Sequence, residues 1–134
     1  MAFVVDASVV VKWVLDEPDS EAAVAVGQQR LLAPDLLDTE CASVLWKAAR
    51  RGELTPAEAE ERLAIIAEAD VERLPSAVLL AGAMRHALQL GHPVYDCLYI
   101  EAAARLGLPL VTADRRLGRL APPGVQVIGL DDLP

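Results

Sequence analysis

Aromatic side chains are scarce in this chain. Two Trp, two Tyr and one Phe make up 4% of 134 residues. So few rings argue against an extended platform for stacking single-stranded bases. Cysteine is equally sparse, and Cys41 and Cys97 fit no metal-binding or redox spacing. Two buried thiols in a reducing compartment are expected. No apolar run is long enough to span a bilayer, and no basic segment precedes an apolar stretch at the N-terminus. The sequence therefore predicts a cytoplasmic protein with no membrane partner and no signal peptide. No repeat, low-complexity tract or linker divides it. With 54% hydrophobic residues, the expectation is a single domain, 1–134, with a real core.

Acid is what the chain has in excess. Twenty Asp and Glu face 12 Lys and Arg, for a formal charge of −8. That balance opposes tight non-specific binding to duplex DNA, where affinity comes from cations neutralising phosphates. The cations present are clustered, at Lys47, Arg50 and Arg51 and again at Arg115, Arg116 and Arg119. A locally basic rim is compatible with the overall charge.

Apolar runs alternate with helical patterns. Residues 2–5 read as a buried strand, followed by helices over 8–15 and 20–28. Residues 31–33 form a weak strand before Pro34. Asp35 opens a helix that carries Glu40 and stops at Arg51-Gly52. Thr55-Pro56-Ala57-Glu58 is a capping box with Pro at the first helical position, and its helix runs to about Ala69. A strand over 71–74 comes next, then a helix capped by Ser76 and ended by Gly91. Pro93 precedes another helix, which runs through Leu106 and is ended by Gly107. Strands over 108–112 and 125–128 complete the pattern. About five apolar strands separated by helices predict an α/β fold, with a mainly parallel central sheet covered on both faces.

Four acids stand out against this layout. Asp6 and Asp114 follow apolar strands, and Glu40 and Asp96 lie near helix starts. In such a fold these positions share one edge of the sheet, where ligands bind. Each acid alone has an ordinary explanation: Asp6 and Asp114 as helix caps, Asp96 as a charge in a first turn, Glu40 as a solvent-facing residue. Together they exceed what capping requires. Four carboxylates in one place call for a hard cation with oxygen ligands, Mg²⁺ or Mn²⁺. The chemistry that follows most directly is metal-assisted phosphodiester hydrolysis. Asp6, Asp96 and Asp114 are the expected metal ligands, directly or through water, with Glu40 holding a metal-bound water or taking its proton. Setting these four aside leaves 16 acidic residues against 12 basic ones, and the charge falls from −8 to −4.

Ser8 and Thr112 are candidates to support the carboxylates or waters from behind; local backbone hydrogen bonding explains them equally well. Arg115, Arg116 and Arg119 either meet substrate phosphates or form a solvated helix face. His92 is expected in a solvent-exposed loop, and His86 has no expected role. Trp13 and Trp46 are expected as core or dimer-contact residues.

The segments Val4-Val5-Asp6-Ala7-Ser8-Val9, Pro34-Asp35-Leu36-Leu37 leading to Glu40 and Val44-Leu45-Trp46-Lys47, Val94-Tyr95-Asp96-Cys97-Leu98-Tyr99, and Leu110-Val111-Thr112-Ala113-Asp114 resemble PIN-domain ribonucleases, most closely VapC-type toxins of toxin–antitoxin pairs. The resemblance spans essentially the whole chain. One departure is Cys97, where Ala is more usual after the aspartate. The resemblance implies a three-layer α/β/α domain, Mg²⁺ or Mn²⁺ in the acidic pocket, and endonucleolytic RNA cleavage leaving 5′-phosphate and 3′-hydroxyl ends. It also implies a homodimer and a small antitoxin partner.

Other functions fit less well. A phospho-receiver domain needs a Lys at its last strand, and no Lys follows Lys47. A carboxylate-metal phosphatase usually has an Asp-x-Asp pair, where this chain has Asp6-Ala7-Ser8. Two alternatives stay open: a non-catalytic interaction module with a degenerate PIN fold, and a structure-specific DNA nuclease.

Overall fold

The computed structural model describes residues 1–133. Its five strands are β1 (Ala2–Val5), β2 (Arg30–Pro34), β3 (Val71–Leu74), β4 (Leu110–Thr112) and β5 (Val127–Gly129). They form one sheet in the order β3-β2-β1-β4-β5, and all four pairings are parallel. The helices are α1 (Ala7–Val10), α2 (Ser20–Val26), α3 (Leu36–Arg50), α4 (Pro56–Glu68), α5 (Ser76–Leu90), α6 (Val94–Leu106) and α7 (Arg115–Gly118). They flank the sheet in the expected α/β/α arrangement. Val4, Val5, Ala33, Leu110 and Val111 are fully buried, as strands covered on both faces must be. Among the described residues no helix is long and apolar enough to cross a membrane.

The strand order places the site. From β1 the chain moves to β2 and β3 on one side, then returns through α5 and α6 to β4 on the other. β1 and β4 are neighbours, with Val4 opposite Leu110 and Val5 opposite Val111. A crevice opens where strand order reverses, outside the C-terminal ends of those two strands. Asp6 and Asp114 lie at its two lips.

Several element boundaries differ from the sequence reading for local reasons. The first helix was expected to run unbroken over 8–15. Instead α1 ends at Val10 and the chain tightens to a 3₁₀ turn over Val11–Trp13. Consecutive Val9, Val10 and Val11 are stiff β-branched residues that disfavour a regular α-helix. β4 starts at Leu110 rather than 108, because the Leu108 N–H bonds back to the Ala103 carbonyl and Pro109 has no N–H to offer. Val125 bonds to the Pro122 carbonyl in a turn, which delays β5 to Val127.

Ser76 does not cap its own helix; Pro75 holds that position. The Ser76 Oγ instead accepts the Leu36 N–H at 3.2 Å, while the Asp35 carboxylate accepts the Ser76 N–H at 3.0 Å. α3 and α5 thus satisfy each other's orphan donors. The Thr55 capping box forms as expected, with both of its bonds present. Trp13 packs against the core and its indole donates to the Ala23 carbonyl. Trp46 is 58% exposed, so it is not a core residue.

α5 packs along α6, and a glycine permits the approach. A Cβ at Gly82 would stand 2.1 Å from the Glu101 carboxylate. That carboxylate is itself held by His86 Nε2 at 3.1 Å and Arg105 Nε at 2.7 Å. In an exposed helix Gly→Ala gains about 1 kcal/mol. Here Gly82→Ala is expected to destabilise by about 1–3 kcal/mol, the cost of overpacking a filled site. Urea denaturation measures it; a stabilised variant would show that Glu101 moves aside freely.

Candidate active site

Asp6 is the N-cap of α1, yet its side chain makes no capping bond. Both of its oxygens are used instead, Oδ1 within its own segment and Oδ2 across the β1–β4 junction. Ser8 Oγ donates to Oδ1 at 2.6 Å and Thr112 Oγ1 donates to Oδ2 at 2.8 Å. Backbone N–H groups fix the direction of both hydroxyls. The Ala113 N–H bonds to Ser8 Oγ at 2.9 Å, and the Asp114 N–H bonds to Thr112 Oγ1 at 3.0 Å. An oxygen that accepts from the backbone has its own proton left to give, so both hydroxyls point at Asp6. Both candidate supports therefore touch an acid, and they bond the backbone as well.

Asp6 is 5% exposed. Burial pushes its pKa up to about 7; the Ser8 and Thr112 hydroxyls oppose the rise, while Asp96 and Asp114 add to it. Burial also raises Glu40, partly offset by the Tyr99 hydroxyl, with Asp96 again contributing upward. Burial is the larger cause of both shifts, and neighbouring acids add to it.

The four acids come together. Asp6, Glu40, Asp96 and Asp114 line one cavity of about 220 Å³, with Ser8, Ser43 and Lys47 also on its wall. Glu40, Ser43 and Lys47 share one face of α3 through their spacing of three and four residues. The sequence reading gave Lys47 no place at the acids. Asp114 does what its capping explanation says, its Oδ1 accepting the Arg116 and Leu117 N–H groups. It lines the cavity too, so the two explanations are not exclusive. Arg115 and Arg119 line an adjoining cavity of about 230 Å³ that shares Asp114. Arg116 is exposed and is not part of either wall.

Two contacts escaped the sequence reading. His92 is not a solvent-exposed loop residue: it is buried, with Nε2 2.6 Å from Asp96 Oδ2. The spacing of four residues was the available signal, obscured by the intervening Pro93. Tyr99, fully buried, donates its hydroxyl to Glu40 Oε1 at 2.6 Å. Its position three residues after Asp96 puts it on the same side of α6. His86, for which no role was expected, pairs with Glu101 away from the acids.

The sequence matches the PIN domain family over residues 3–122. It is 38% identical to ribonuclease VapC3 of Pyrobaculum aerophilum over 126 residues, covering 91% of this chain and 96% of that one. Identity is also 38% to ribonuclease VapC3 of Mycobacterium tuberculosis H37Rv, over 94% of this chain and 91% of that one. Among solved structures, PAE2754 of Pyrobaculum aerophilum superposes with a TM-score of 0.73 at 27% identity, covering 98% of this chain and 85% of that one.

The raised Asp6 pKa has a thermodynamic consequence. Folding moves it from an ordinary 3.8 to about 7, so between those values the native state holds a proton that the unfolded chain has released. The associated stability is fully present below about pH 4 and is lost as pH rises through about 7. Asp6→Asn, permanently neutral, should therefore gain on metal-free wild type between pH 5 and pH 8, by roughly 2–4 kcal/mol. Urea denaturation in chelator at the two pH values tests this; a pH-independent difference would contradict it.

Proposed function

The chain belongs to the PIN-domain family, among the VapC ribonucleases, and from that premise we propose that it is a metal-dependent endoribonuclease, the toxin of a type II toxin–antitoxin pair. The observation that carries the reading is the meeting of four carboxylates from four separate elements in one cavity at the strand-order reversal. A degenerate, non-catalytic module has no need to keep all four. The formal charge of −8 disfavours a DNA nuclease that must grip a duplex.

The donor set fits Mg²⁺ or Mn²⁺: hard carboxylate oxygens around an excess of negative charge. Among the described residues, no group of three acids, histidines or cysteines is close enough to cage an ion alone. That suits Mg²⁺, which keeps several waters and takes few direct protein ligands. Asp6, Asp96 and Asp114 would hold it, directly or through water. When bound, the ion lowers the pKa of a water and neutralises charge on the phosphate. Glu40, raised in pKa and held through one oxygen by Tyr99, keeps Oε2 to receive the proton of the attacking water. Ser8 and Thr112 keep Asp6 from turning away from the cavity. Arg115 and Arg119, with Arg116 beside them, offer cations to the flanking phosphates of the RNA. The products would carry 5′-phosphate and 3′-hydroxyl ends.

The same charge excess motivates the partner. A small antitoxin presenting Arg to the acids would satisfy them with a fixed charge and a planar donor fork. An apolar groove of about 420 Å³ between α3 and α4, lined by Leu45, Trp46, Ala49, Pro56 and Leu63, suits an amphipathic antitoxin helix. For the homodimer, Leu80, Met84 and Leu88 leave an exposed apolar stripe on α5, a surface of the kind oligomers cover. The reading puts the protein in the cytoplasm, with its RNA.

Purified protein should cut a structured RNA in Mg²⁺ or Mn²⁺ and stop in chelator. Asp6→Asn and Asp96→Asn should each lower the rate by more than about 100-fold, the upper range for losing a residue that merely supports a ligand. A folded variant that cuts like wild type would remove that acid from the site.

Expression of the chain alone should arrest bacterial growth, and the Asp6→Asn form should not. Co-expression with the small protein encoded beside it should restore growth and yield a copurifying pair. Growth unaffected in several hosts, with no copurifying neighbour, would refute the toxin role and leave the nuclease to the cleavage assay.

A further inference from the structure

Two of the four acids are held from behind by side chains of one chain segment. α6 carries Asp96 in its first turn, His92 precedes the helix and reaches over that turn, and Tyr99 lies one turn further on. The His92 side chain is 6% exposed against 28% for Asp96, so the imidazole lies on the protein side of the carboxylate. The Tyr99 ring is fully buried and crosses to α3, where its hydroxyl meets Glu40.

Each contact occupies a single oxygen. His92 takes Asp96 Oδ2 and Tyr99 takes Glu40 Oε1, and among the described residues no protein hydrogen bond is made to Asp96 Oδ1 or Glu40 Oε2. The terminal torsion of a free Asp or Glu is broad. One anchored oxygen restricts it and leaves the other available to a ligand. An imidazole Nε2–H has no use for a carboxylate except as an acceptor, and a buried phenol must donate to something. Both pairs are therefore directional.

We propose that His92 and Tyr99 are positioning residues: His92 sets the Asp96 carboxylate for the cation, and Tyr99 sets Glu40 for the attacking water. This assignment rests on the nuclease function proposed above. Neither residue touches substrate; each acts through its acid. The two acids have different tasks, so the two losses should separate. Loss of the His92 contact acts on cation affinity. Loss of the Tyr99 hydroxyl acts on the rate with the cation already bound.

The test pairs Mn²⁺ titration of the metal-free protein, read by water-proton relaxation, with single-turnover RNA cleavage at saturating Mn²⁺. His92→Ala should raise the Mn²⁺ Kd about tenfold, and His92→Gln, whose side-chain N–H reaches the same oxygen, should restore most of the affinity. Tyr99→Phe should leave the Mn²⁺ Kd within about twofold and slow cleavage about tenfold or more, with the KM for RNA unchanged. Folded variants that bind Mn²⁺ and cleave like wild type, losing only melting temperature, would make these contacts purely structural and overturn the proposal alone. A wild-type protein that neither binds Mn²⁺ nor cleaves RNA would overturn the proposed function and this assignment with it.

Discussion

The buried carboxylate of Asp6 is the constraint around which the acidic edge is built. It lies at the junction of two parallel strands with no direct chain connection between them. Two hydroxyls hold it, and two backbone N–H groups from the segment after β4 fix those hydroxyls. Two of these four bonds, Thr112 Oγ1 to Asp6 and the Ala113 N–H to Ser8 Oγ, tie residues 6–8 to residues 112–114, and the other two brace each segment internally. A buried polar group left unpaired there costs about 1–3 kcal/mol, so the bonds act as a set. Asp114 leaves the same junction, its backbone N–H bonding Thr112 while its side chain caps α7. The separation of two acids distant in sequence is fixed before any ligand arrives.

That arrangement works against itself without a cation. Hydrogen bonds to a charged group contribute about 1.5–3 kcal/mol each, and Asp6 accepts two. Removing a carboxylate from water costs several kcal/mol, and its neighbours add repulsion. Two like charges at ~6 Å repel by roughly 3 kcal/mol at an effective dielectric of ~20. The balance falls on the side of destabilisation, which is why Asp6 is pushed up to about 7 rather than down. Lys47 on the cavity wall supplies one positive charge against four acids. The cation proposed above would bring charge that the protein itself does not provide.

Much of this was legible in the sequence because it rested on local rules. Thr55-Pro56-Ala57-Glu58 announced its capping box, Gly91 and Gly107 adopt the left-handed helix ends, and apolar strands implied a covered parallel sheet. The four acids could be assigned to one edge because strand ends and helix starts in such a sheet face the same way. What stayed hidden depends on tertiary contact. Ser76 looked like a cap for its own helix and serves the neighbouring one. His92, between Gly91 and Pro93, looked like a loop residue and is buried against Asp96. The Tyr99–Glu40 bond joins residues 59 apart in the chain, which no periodicity reveals. Trp46, expected as a core or dimer-contact residue, is largely exposed along an apolar groove.

The proposed function requires that Asp6, Asp96 and Asp114 hold one cation beside Glu40. The most direct measurement of this is anomalous scattering from crystals of the protein soaked in Mn²⁺. The account predicts an anomalous peak inside the cavity between Asp6, Asp96 and Asp114, with water completing the ion's shell. Saturating Mn²⁺ with no peak in that cavity, or with ions bound only elsewhere on the surface, would contradict it.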